Sequence, residues 1–204
     1  MMVRTFAIAA LAFAVSVAAA RAADPRYPDW PCAQAKVPEI SLAAVWAGPA
    51  LGDAESKWKD DSKVSALVAK LAARKTPLDE AEKSVKEFLA SSAADKTTNA
   101  KLLFAGLFDT LNAQRSQVMR GLERVSRKQR EAADKIREDT IQLQALQDAT
   151  PRDDAKVEAM SNQLMWETRI FEDRRKVVRF VCEVPTTIDQ RLFALGRVIQ
   201  QEME

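Results

Sequence analysis

From Asp53 onward, apolar residues recur at the three-and-four spacing of an α-helix: Val64, Leu67, Val68 and Leu71 form one stripe, and Leu78, Ala81, Val85, Phe88 and Leu89 the next. Thr76-Pro77-Leu78-Asp79 separates these two predicted helices. Thr76 is placed to cap the second, Pro77 takes the first helical position where a missing N–H costs nothing, and Asp79 faces the positive end of the helix dipole. Residues 98–149 contain no proline, and their apolar positions advance in steps of four and three. One heptad position reads Phe104, Leu111, Val118, Val125, Ala132, Asp139, Leu146, and the other Phe108, Arg115, Leu122, Gln129, Ile136, Leu143. The pattern predicts a coiled-coil helix of roughly 50 residues and about 75 Å, too long to lie within a compact domain of this size.

Thr150-Pro151 ends this helix and opens a return helix, with Thr150 as the expected cap and Asp153 and Asp154 in its first turn. Val157, Leu164, Phe171 and Val178 repeat every seven residues, with Met160 and Val181 at the complementary spacing. Folding the chain about position 150 makes facing residue numbers sum to about 300, so Gln129 is expected opposite Phe171, Leu122 opposite Val178 and Val118 opposite Cys182. Toward its start the long helix is apolar on most of its circumference, through Leu102, Leu103, Phe104, Leu107, Phe108 and Leu111, and must be surrounded. A last helix, with Thr187 as its cap and Ile188, Leu192, Leu195 and Ile199 on one face, can contribute to that enclosure. The expected fold is all-α: a small helical bundle at the base, a protruding antiparallel coiled-coil hairpin over about 98–184, and a single helical domain spanning 53–204.

Residues 23–52 break the helical pattern. They hold five prolines together with Tyr27, Trp30 and Trp46, and read as an extended arm that packs large apolar rings on its own domain. Residues 1–22 resemble an export leader: Arg4 supplies the positive start, Phe6–Ala20 the apolar run, and Ala20-Arg21-Ala22 the small-x-small cleavage site. The apolar run is short for a bilayer, and no later stretch approaches membrane length, so no transmembrane helix is expected after cleavage. Cleavage removes Arg4 and Arg21 from 31 basic residues and none of the 29 acidic ones, leaving a chain near neutrality. Export into an oxidising compartment makes a Cys32–Cys182 disulfide the expected state of the two cysteines, stapling the arm to the hairpin.

Chemistry is constrained by what the chain lacks. With no histidine, five glycines and one tyrosine, the usual triads and zinc sites have no donors, and no catalytic residue, cofactor or metal is expected. The acidic tip formed by Asp148, Asp153, Asp154 and Glu158 lacks the spacing of a calcium loop. The fold-back geometry does bring two basic groups to one height: Arg120, Arg124, Arg127, Lys128 and Arg130 on the outgoing helix, and Arg174, Arg175, Lys176 and Arg179 on the return helix. Residues 115–131 carry six basic and two acidic side chains, and residues 167–179 five and three, predicting a basic belt in a near-neutral protein. The belt suits a protein partner in the cell envelope or an anionic envelope surface, but not nucleic acid. Its ordinary alternative is a solvated face in which Glu123, Glu131, Glu172 and Asp173 pair with the cations. Trp166, Ile170 and Val177, with Phe180, form a second apolar edge on the return helix, either a wider core stripe or a contact face.

The expected function is therefore non-enzymatic: an exported periplasmic protein that presents a helical hairpin as adaptor or assembly component of a bacterial envelope complex. A periplasmic holdase for unfolded envelope proteins is the alternative, and the pattern leaves the oligomeric state open. The expected mature N-terminus is Ala23, and intact mass of the exported chain tests it: retention of residues 1–22 contradicts the leader.

Overall fold

The computed structural model describes residues 24–92 and 95–204, so the expected leader at 1–22 lies outside the described residues. Seven helices follow in order: α1 (Leu42–Val45), α2 (Ala54–Lys57), α3 (Ser62–Ala72), α4 (Leu78–Ser91), α5 (Lys96–Asp148), α6 (Asp154–Val181) and α7 (Val184–Gln201). No strand occurs among the described residues, and the chain is all-α.

The main core forms around the first turns of α5. Leu103, Phe104, Leu107 and Leu111 are essentially inaccessible to solvent, enclosed by Val64, Val68 and Leu71 of α3, Ala81, Val85 and Leu89 of α4, and Ile188, Leu192, Leu195 and Ile199 of α7. Trp46 closes the remaining side, its ring stacked on Phe104 with centroids 4.2 Å apart. Each such side chain contributes about 1.5–3 kcal/mol on burial, which explains why an all-round apolar helix draws in so many short elements. Gly106 lies where Trp58 and Val68 meet α5: a Cβ there would come within 2.6 Å of Val68 Cγ2 and 2.9 Å of Trp58 Cε3.

Helix starts differ from the sequence expectation in a consistent way. Asp61 caps α3, its carboxylate accepting from Lys63 N at 2.8 Å and Val64 N at 3.0 Å. Thr76 is not the cap of α4; its buried hydroxyl donates to Lys70 O at 2.9 Å, a carbonyl at the end of α3 that also accepts from Ala73 N at 3.3 Å. Asp153, not Thr150, caps α6, accepting from Lys156 N at 3.1 Å. The last helix begins at Val184, before Thr187, with Pro185 in its first turn; Thr187 lies inside and donates back to Glu183 O. In each case a threonine turned to a nearby carbonyl or stayed in a turn, and an acid or a proline defined the start.

α5 is 53 residues long, about 80 Å. The main core reaches only to Leu111; one turn on, Arg115 still meets α7 through Asp189, and farther along α5 runs beside α6 and the N-terminal segment. The two helices run antiparallel, as Gln129 Nε2 donating to Phe171 O at 3.1 Å and Lys135 Nζ donating to Glu167 Oε1 at 2.8 Å require. Leu122 and Val157 are buried between them, and Ile136, Leu143, Leu164 and Val178 half-buried. Most polar positions along α5 have partners, although Gln129 Oε1 and Glu167 Oε2 are buried without a hydrogen bond. Asp139 accepts from Lys135 Nζ at 2.5 Å, and buried Arg115 places Nε 2.7 Å from Asp189 Oδ1 of α7.

The Gly106 contact yields a direct test. Gly106→Ala is expected to lower unfolding free energy by roughly 1–2 kcal/mol, overpacking outweighing the gain in helix propensity. Gly121→Ala, whose Cβ would have no neighbour nearer than Arg124 Nη2 at 4.0 Å, is expected to raise it by up to about 1 kcal/mol. Urea unfolding of the two variants beside the parent decides; equal effects would contradict the packing.

Candidate interaction surface

The contact between α5 and α6 has two flanks, and the chain treats them differently. On one flank lies the segment 24–40, which contains no helix and is held to the helices through its side chains and a few carbonyls. Cys32 is joined to Cys182 by a disulfide, and Gln34 Nε2 donates to Cys182 O beside it. Asp29 receives Arg127 Nη1 at 2.6 Å and also Arg130, whose other nitrogen donates to Pro28 O at 3.3 Å. Lys36 pairs with Glu123 at 2.5 Å, and Arg115 Nη1 donates to Pro38 O at 3.3 Å. The segment thus descends along α5 from Arg130 to Arg115 as its own numbering rises. A cavity of about 480 Å³ remains beneath it, bordered by Ala33, Phe171, Arg175 and Arg179.

The other flank is uncovered. A groove of about 730 Å³ runs between the helices, floored by Val118, Leu122, Val125, Val178 and Val181 and edged by Arg124, Lys128 and Arg174. Ile170 is 46% exposed and Val177 59% on its α6 side, and Trp166 at 59% and Phe180 at 75% continue the same helix row. Positions 166, 170, 173, 177 and 180 follow a four-three spacing, which places them along one face of α6, interrupted only by Asp173. The guanidinium of Arg169 lies 5.8 Å from the Trp166 ring centroid.

The nine basic residues singled out in the sequence fall into separate groups. Arg127 and Arg130 are occupied by Asp29. Arg175 pairs with Glu172, and Lys176 with Asp173, each one turn away along α6. Arg175 and Arg179 border the cavity on the covered flank, whereas Arg124, Lys128 and Arg174 line the open groove. Gln129 and Val178 line both spaces and form the partition. Arg120 is exposed, without an ion pair among the described residues. The heptad count gave the heights of these cations but not their azimuth relative to the N-terminal segment, so the division between flanks was missed. Asp29, and Lys36 as the partner of Glu123, were missed because the contacts join a non-periodic segment to residues nearly a hundred positions away.

At the turn between α5 and α6, Asp153 is used as a cap and as a partner of Lys156, and Asp154 pairs with Arg152. Among the described residues no group of three or more acidic or cysteine side chains is arranged to hold a metal. Asp189 has its carboxyl raised above the ordinary aspartate value by burial, against the opposing pull of Arg115. No family model, curated protein or solved structure matches the chain.

The Asp29 contact has a defined pH signature. Arg127 first, then Arg130, holds this carboxyl below the ordinary aspartate value of 3.8. A depressed value in the folded state stabilises fully above the ordinary range and is lost as pH falls through the folded value. The stability difference between the parent and Asp29→Asn, measured by urea unfolding with the disulfide intact, is therefore expected to be constant near neutrality and to shrink below about pH 3.8. Parallel profiles down to pH 2 would show that the pair does not anchor the segment.

Proposed function

We propose that this chain is an exported, non-catalytic adaptor or assembly component of a bacterial envelope complex, which presents the α5/α6 pair as a protruding coiled-coil hairpin. The observation that carries the reading is the asymmetry of the pair: one flank is met by residues 24–40, held there by a disulfide and two sets of ion pairs, and the other leaves Ile170, Val177 and Phe180 in solvent. Exposed apolar rows of this length are costly in a protein that meets no partner. Export is supported by the leader-like residues 1–22 and by the disulfide, which suits an oxidising compartment. Among the described residues no helix is long and apolar enough to cross a membrane, consistent with a role in the periplasm on or between envelope components.

Exposure of Trp166 and Phe180 together also suits a holdase, which captures many unfolded clients through apolar surface. The two readings separate in one experiment: photo-crosslinking in the native cells from probes at Lys128, Trp166 and Arg175. An adaptor yields one dominant product from Lys128 and Trp166 and less from Arg175, which faces away from the open groove toward residues 31–34. A spread of unrelated exported proteins would overturn the adaptor in favour of the holdase.

A further inference from the structure

The open groove carries information about what fills it. Its walls are two α-helices whose backbone groups are already paired, so they offer no edge to an extended peptide, whose N–H and C=O groups would be left unsatisfied against Val118, Val125 and Val177. An α-helix brings its own hydrogen bonds and can lie in such a trough as the third member of a bundle. The row from Trp166 to Phe180 is about 21 Å long, four helical turns. Gly121 thins the α5 wall: the space where its side chain would stand is empty to 4.0 Å, room for a close helix approach.

The rim sets the sign of the charge. Arg124 and Lys128 on α5 and Arg174 on α6 edge the groove, and none has a carboxylate within ion-pair distance among the described residues. Asp173, the one acid lining the groove, is taken by Lys176. A second copy of the chain, docked through the same face, would set these cations against their equivalents. Residues 1–23 contain Arg4 and Arg21 and no acid, so they too carry the wrong sign.

We infer that the groove is a docking site for an acidic amphipathic α-helix of a partner protein, four to five turns long, with its apolar stripe against Ile170, Val177 and the α5 valines and its carboxylates against Arg124, Lys128 and Arg174. The inference rests on the reading of the helix pair as an interaction surface and names the chemistry of the partner. Apolar burial would supply most of the affinity, and the rim cations register and discrimination.

The test is a display library of helices of about 18 residues, five turns, with a fixed leucine stripe and flanking positions randomised over Glu, Lys, Gln and Ser, panned against the disulfide-bonded exported chain. Recovered binders are expected to be enriched in Glu at the flanks. Their affinity should drop tenfold or more for the triple variant Arg124→Glu, Lys128→Glu, Arg174→Glu, and for Val177→Asp, while Arg175→Glu leaves it unchanged. Circular dichroism and urea unfolding check that each variant retains its fold. No binders, binders with neutral or basic flanks, or binders indifferent to the triple variant would overturn the inference. A concentration-dependent dimer of the chain alone that Val177→Asp dissolves would overturn it in favour of a second copy. The wider reading fails separately: a single crosslinked cellular partner without acidic selection removes the helix but keeps the adaptor, and acidic selection with promiscuous crosslinks does the reverse.

Discussion

Residues 103–107 of α5 are buried on every side of the helix, and the other elements are arranged to meet that demand. A helix that is apolar over part of its circumference needs one partner; one apolar all round needs a cage. Here the cage is α3, α4 and α7 with the rings of Trp46 and Trp58 as plugs. Gly106 and Gly196 sit where a ring comes against a helix too closely for a side chain to intervene. Beyond Leu111 the apolar share of α5 narrows, the demand falls to one partner, and the helix leaves the cage with α6 beside it.

How much of this was legible in the sequence depends on whether a feature is periodic. Folding the chain about position 150 put Gln129 opposite Phe171, and a hydrogen bond joins them. The cysteines were paired correctly because only one intrachain pairing exists. Features set by single contacts across the fold were not legible. Thr76 looked like a cap because the next residues suit a helix start, but its hydroxyl turns back to Lys70 O in the last turn of α3. The nine cations read as one belt because sequence spacing gives height along a helix pair and says nothing about which flank a separate segment will cover; the charges of Asp29 gave no hint of Arg127 and Arg130.

Arg115 illustrates how a polar residue at an apolar position is accommodated. Its heptad position points to register, and its partners give a more local reason. The guanidinium is buried and reaches Asp189 on α7 and Pro38 O in the N-terminal segment, so that one side chain ties three separate parts of the chain at the level where the cage ends. Asp189 is the strained member, because burial favours its neutral form while Arg115 favours the charged one. Such a pair contributes modestly to stability, and its loss leaves a desolvated charge without compensation.

The Cys32–Cys182 bond spans a sequence separation of 150, and its topological consequence is distinct from its effect on stability. It closes residues 32–182, both long helices and the turn joining them, into one covalent ring from which the start of the chain and α7 emerge. A ring must be cut twice to yield two pieces. A protease that severs the exposed turn at 149–153 would open the ring without freeing a fragment, and α5 and α6 would remain tied at the end nearest the cage. The exposed turn joining the two long helices is thus a point at which a single cut releases nothing.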